Sequence, residues 1–214
     1  MTKIETDGWK VLFRRALKIL DAAAKSGERL DGWSFSGGTV LMRRFRHRVS
    51  RDVDIFVPDP QYLGYLSPRL NDTAGELTSR YLETAVSVKL FFAEGEIDFI
   101  ASVPLTDPPH LAEVVEGRKV RVETTAEILA KKVWHRGHAF TARDIFDFAL
   151  ATRHDPAAVA SLRPILRKRR KAIRERIASS RLALRTAFEG LARLDTRLDF
   201  DACAKIVLDS LNQA

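Results

Sequence analysis

Apolar residues at Leu12, Ala16, Ile19, Leu20 and Ala23, with basic residues between them, recur at helical spacing. They predict an amphipathic helix over residues 9–24, ended near Gly27. Residues 30–36 read as a short strand, 39–45 as a helix and 52–57 as a strand that Pro58-Asp-Pro60 stops. Residues 61–84 are polar and broken by Gly64, Pro68 and Gly75, which predicts a loop with one helix. Residues 85–93 alternate, with Val86, Val88, Leu90 and Phe92 on one face. A Glu94-Gly95 turn then joins them to a second strand over 96–101, so the two form a hairpin. Residues 120–122 form a brief extended piece. Thr125 is placed to cap a helix over 126–135, and Thr141 another over 143–151. Beyond Asp155-Pro156 the pattern is helical. The fold class is α+β: a mixed sheet flanked by helices, followed by a helical C-terminal region. The expected division is a domain over residues 1–155 and a basic helical region over 156–214.

The strand over 52–57 breaks the apolar rule in an informative way. Val53, Ile55 and Val57 make one face, and a carboxylate beside such a face is costly unless it has work or a partner. Strand side chains alternate, so Asp52 and Asp54 share the other face, their Cα atoms about 7 Å apart. That suits two hard oxygen ligands gripping Mg²⁺ from one side. Asp98 lies in a second, largely apolar strand and makes a third acid. Upstream, Phe35-Ser-Gly-Gly-Thr-Val-Leu reads as a glycine turn opening a helix. There, free backbone N–H groups and the missing Cβ atoms let a phosphate approach. A phosphate cradle followed by metal-binding carboxylates implies phosphoryl or nucleotidyl transfer.

Composition changes this picture little. A chain of 214 residues is large enough to bury a core without staples. Cys203 is its one cysteine, so no disulfide framework or cysteine-based zinc site forms within the chain, and a reducing compartment is expected. Its apolar, helix-like surroundings make it a buried small hydrophobe. Neither a signal peptide nor a membrane-length apolar run is visible, which predicts a cytoplasmic protein with no membrane partner. His135 and His138 stand at i, i+3 without a third ligand at zinc spacing, and His47 is set aside with them.

The ordered motifs carry a family resemblance. Phe35-Ser-Gly-Gly-Thr-Val-Leu, Ser50-Arg-Asp-Val-Asp-Ile-Phe56, Glu127-Ile-Leu-Ala-Lys-Lys132 and Arg143-Asp-Ile-Phe-Asp147 resemble AbiEii/AbiGii-type nucleotidyltransferase toxins. These belong to the superfamily related to DNA polymerase beta and are the toxic partners of type IV toxin–antitoxin systems. The resemblance covers roughly residues 33–150 and leaves the C-terminal region out. It implies an NTP substrate, Mg²⁺ at Asp52, Asp54 and Asp98, and a cognate antitoxin. It places the nucleotide at Ser36, Gly37, Gly38, Thr39, Ser50 and Arg143. Lys132, rather than Lys131, falls at the family's lysine, where it neutralises phosphate charge; Lys131 is expected on the surface. Asp147, four residues after Arg143 on one helix face, either orients Lys132 or accepts a proton from the attacking hydroxyl. Asp144 is an alternative cap for the same helix.

Net charge is +8, unevenly spread. Arg167-Lys-Arg-Arg-Lys171 and Arg174 form a basic run, and Arg43, Arg44, Arg46, Arg48 and Arg51 lie near the glycine and acid motifs. Together they make RNA binding an expectation, and with the family resemblance they imply an RNA acceptor, a tRNA 3′ end foremost; the run lacks aromatic residues, which favours backbone contact over base stacking. The bland reading of such a run is a solvated helix face.

Overall fold

The computed structural model describes residues 7–25, 30–195 and 197–214, so the expected helix end at Gly27 lies outside the described residues. Two compact units are present. The first takes the described residues of Met1–Val40, Ser50–Pro104 and His110–Glu123; the second takes Leu41–Val49, Leu105–Pro109 and Thr124–Ala214. The expected division at residue 155 therefore falls inside the second unit.

In the first unit, α1 (Gly8–Lys25) forms as its periodicity predicts, with Leu12, Phe13, Ala16 and Ile19 fully buried. Among the described residues, seven strands make one sheet: β1 (Ser34–Ser36), β2 (Val53–Val57), β3 (Tyr81–Glu83), β4 (Ser87–Phe91), β5 (Glu96–Ala101), β6 (His110–Val115) and β7 (Arg118–Glu123). Their order is β3-β4-β5-β2-β1-β7-β6. The β4–β5 hairpin is antiparallel as expected, while β2 and β5 run parallel. Burial alternates along β2 and β5, so Val53, Ile55, Val57, Ile97 and Phe99 enter the core together. Phe35 on β1 packs against Trp9 and Phe13, with ring centroids 5.8 and 4.6 Å away. Burying each such side chain contributes about 1.5–3 kcal/mol.

Two stretches depart from the sequence reading. The stretch 61–84 holds a 3-10 segment (Pro60–Leu66), α3 (Asp72–Leu77) and the edge strand β3, rather than a loop with one helix. Residues 120–122 belong to a full strand, β7, paired with β6. Glu116 and Gly117 join them, both at positive φ (49° and 79°). That is the backbone of a two-residue hairpin turn whose usual Asn-Gly signal is absent here.

The second unit is helical: α4 (Thr125–Arg136), α5 (Ala142–His154), α6 (Pro156–Ser161), α7 (Arg163–Ser179), α8 (Arg181–Glu189) and α9 (Phe200–Asn212). The N-cap of α4 is Thr124, not Thr125, its side chain accepting from Glu127 N. Thr141 caps α5 as expected. Residues 144–151 of α5 are all buried, and Phe146, Phe188 on α8 and Phe200 on α9 form an edge-to-face series at 5.3 and 5.8 Å. Cys203 is fully buried, which pushes its thiol up to about 12, as befits an inert core residue. The helix α2 (Gly37–Phe45) begins at the glycine turn. The segment after it is fastened to the C-terminal region. Leu194 and Asp195 donate backbone N–H to His47 O at 2.7 and 2.9 Å, and Val49 N donates to Ala192 O at 2.8 Å. Among the described residues no helix is long and apolar enough to cross a membrane.

Candidate active site

Gly37 holds φ +80°, a conformation that favours glycine. A Cβ there would lie 1.7 Å from Asp54 Oδ2, so the carboxylate rests directly against the turn. Behind the turn, the first-turn N–H groups of α2 have no helical acceptor, and Arg43 and Arg44 complete the dipole at its other end. Gly37 and Gly38 thus open a helix whose N-terminus suits an anion.

The acids line up by strand register. Asp54 is flanked by Ser36 on β1 and by Asp98 on β5. Lys89 on β4 is the next partner of Asp98, and its Nζ lies 3.0 Å from Asp98 Oδ2 and 2.7 Å from Glu96 Oε2. Burial pushes the Lys89 ammonium down, but its bonds to Glu96 and Asp98 outweigh this and leave it raised. Asp52, just before β2, accepts from Glu96 N at 3.2 Å. Asp54 and Asp98 are hard oxygen donors side by side, a fit for a divalent cation such as Mg²⁺. Among the described residues no three His, Cys, Asp or Glu side chains are grouped as a metal-holding set.

The hydroxyls near the glycines face the protein. Ser36 donates to Glu123 Oε2 at 2.6 Å, and Ser34 donates to Glu123 Oε1 at 2.9 Å. Thr39 donates to Asp52 O at 2.5 Å, tying α2 to the start of the acidic strand. What the turn offers a phosphate is therefore chiefly backbone N–H. Ser50 is buried.

In the second unit, Lys132 and Asp147 come together with residues the sequence does not group with them. Lys132 Nζ lies 2.6 Å from Asp144 Oδ1 and 3.1 Å from Asp147 Oδ2. Arg48 forks onto Asp147, Nε to Oδ1 at 2.7 Å and Nη2 to Oδ2 at 2.9 Å. His47 Nε2 lies 2.7 Å from Asp147 Oδ1. Burial would push Asp147 up; Arg48, then Lys132, outweigh it and hold the carboxyl well below its usual range. Burial likewise pushes Lys132 down, but Asp144 and Asp147 reverse that and leave it raised. Both oxygens of Asp147 are thus engaged, by Arg48, Lys132 and His47. Arg143, four residues before Asp147, is exposed.

Other expectations are corrected here. Lys131 is not on the surface: its side chain is 7% exposed and lies 3.4 Å from Glu127 Oε1. Arg48, grouped with the RNA-facing arginines, is buried. Asp144 does serve the α5 cap, in a reciprocal box with Thr141, and also binds Lys132. Nothing in the spacing marked Arg48, whose partner Asp147 lies 99 residues away. Nothing local marked His47 or Glu123.

A glycine turn against in-register strand carboxylates on a mixed sheet defines an enzyme of the nucleotidyltransferase class. The profile of the family described as nucleotidyl transferase AbiEii toxin, type IV TA system, matches residues 18–212. The chain belongs to that family, and the match takes in the C-terminal region that the motif resemblance left out. Among solved structures, the antibiotic-resistance factor ANT(2'')-Ia is similar at 17% identity, over 82% of this chain and 100% of that one, TM-score 0.55. The nucleotidyltransferase toxin MenT4 from Mycobacterium tuberculosis H37Rv is similar at 15% identity, over 99% and 86%, TM-score 0.53. A complex of ANT(2'')-Ia with adenylyl-2''-tobramycin is similar at 17% identity, over 78% and 97%, TM-score 0.50. At these identities the likeness concerns the fold. No curated protein matches the sequence.

Proposed function

We propose that this nucleotidyltransferase moves a nucleoside monophosphate from an NTP to a hydroxyl of RNA, a tRNA 3′ end foremost. The acceptor oxygen bonds to the α-phosphorus, the bond to the β-phosphate oxygen breaks, and pyrophosphate leaves. Asp98 takes the hydroxyl proton. The backbone at Gly37 and Gly38 holds the triphosphate, with Ser36, Thr39 and Ser50 shaping the turn and Arg143 as a further nucleotide contact. Mg²⁺, with Asp52, Asp54 and Asp98 as its oxygen donors, would offset triphosphate charge when bound. Lys132 supplies a fixed positive charge for the phosphates, and Asp147 orients it. The carrying observation is Gly37 against Asp54, with Asp54 beside Asp98 in register. The exposed cations of α7 support an RNA acceptor. The family's toxin–antitoxin description supports a cognate antitoxin as partner.

The test is incubation with each labelled NTP, Mg²⁺ and total RNA, with and without Asp54→Asn. Label entering RNA, lost with Asp54→Asn while the melting temperature holds, is the expected result. Label entering protein or a small hydroxyl compound instead would replace the acceptor. Full transfer by folded Asp54→Asn would remove the carboxylate assignment.

A further inference from the structure

We infer that His47 and Arg48 are positioning residues for Lys132, acting through Asp147; this rests on the reading of Lys132 as the triphosphate cation. Three observations carry it. Arg48 and His47 hold both oxygens of a fully buried carboxylate, at 2.7, 2.9 and 2.7 Å. The same carboxylate lies 3.1 Å from Lys132 Nζ, so its placement sets where the ammonium sits. And the 47–49 segment is itself pinned by backbone bonds to Ala192, Leu194 and Asp195, so the holders are rigid.

The chemistry explains the choice of residues. A lysine side chain is a flexible stem with a point charge, and needs outside help to stay in one place. Asp144 and Asp147 grip it from two sides. Asp144 is already fixed by the Thr141 capping box. Asp147 has no such local anchor, and the planar Arg48 fork provides one, matching both carboxylate oxygens at once. His47 adds a third bond from a ring packed 5.2 Å from Phe146. Among the described residues its buried Nδ1 has no hydrogen-bond partner, so Nε2 is the ring's one polar contact there.

The role separates from plain structural support by kinetics. His47→Phe keeps the aromatic packing and removes the donor; His47→Gln keeps an N–H donor. Arg48→Lys keeps the charge and removes the fork. For His47→Phe and Arg48→Lys the expected result is a kcat lower by about tenfold to a hundredfold. The KM for NTP should stay within about twofold, because uniform binding is untouched. His47→Gln should recover most of kcat. In a Lys132→Ala background, His47→Phe should cost nothing further, because the effect passes through that lysine. Near-normal kcat in folded His47→Phe and Arg48→Lys, or losses that multiply in the Lys132→Ala background, would overturn the inference. A fully active Lys132→Ala would instead overturn the cation reading, and the inference with it.

Discussion

Gly37 is where a single atom decides most. Its φ of +80° and the 1.7 Å between a would-be Cβ and Asp54 Oδ2 leave no room for any side chain. Gly37→Ala should cost about 1–2 kcal/mol for the left-handed backbone alone. It must also displace the Asp54 carboxylate or open the turn. The expected outcome is a lower melting temperature together with loss of nucleotide transfer. Gly117 makes the contrast: it is also at positive φ, but a Cβ there meets nothing within 4 Å. Gly117→Ala should show the backbone cost without loss of transfer, read in the same two assays.

At the scale of elements, α5 shows how a charged residue is kept inside. Ile145, Phe146, Phe148, Ala149 and Leu150 surround Asp147 with buried apolar surface. An ionised carboxylate there is tolerated because Arg48, Lys132 and His47 face it. Both Asp144 and Asp147 are held below their ordinary values, Asp147 well below. A depressed carboxylate contributes stability above its unfolded pKa, near 3.9, and loses it as pH falls through the folded value. Stability of the wild type should therefore hold from neutral pH down to about 4 and decline below that. Asp147→Asn leaves Arg48 facing a neutral group and should cost about 3–5 kcal/mol at pH 7. The gap between wild type and Asp147→Asn, followed by thermal melts from pH 7 to pH 2, should narrow as the wild-type carboxyl is protonated.

For the molecule as a whole, charge is concentrated. Helix α7 carries eight basic residues against Glu175 alone, a surplus of seven, where the whole chain has +8. Several of these cations have internal work: Arg176 donates to Phe140 O and Ser180 Oγ, and Arg169 stacks 4.3 Å over Trp134. Trp134 comes from α4, so the run gains an aromatic neighbour that its own sequence lacks. Arg167, Lys168, Arg170 and Lys171 are exposed. Replacing these four with Gln should weaken RNA binding and flatten its salt dependence. Each lost phosphate contact should reduce the log–log slope by roughly 0.7–0.9. NTP affinity, measured in parallel by titration, should stay unchanged. An unaltered RNA slope would mark this helix face as solvated or as a surface for a protein partner.

What the sequence determined by itself was local. Apolar periodicity set α1 and the β4–β5 hairpin, because burial on one face repeats every few residues, and the Thr141 cap marked α5. The glycine turn and the alternating acids were legible for the same reason: Gly37, Asp52 and Asp54 each break a local rule in an apolar setting. Tertiary structure decided what depends on distant partners. Arg48 and Asp147 are 99 residues apart, and Ser36 and Glu123 are 87 apart. Spacing carries no information about such pairs, so Arg48 reads as a surface cation and Ser36 as a phosphate donor until the chain is folded. Lys131 reads as solvated because lysine usually is, whereas helix packing buries it beside Glu127. The β6–β7 hairpin was hidden because Leu111 and Val114 are exposed and its turn lacks the usual residues. Only the sheet's strand order sets β7 beside β1 and so brings Glu123 to the serines behind the glycine turn. A buried charge must find its counter-charge wherever the fold puts one, and that pairing is a property of the packed chain rather than of any segment of it.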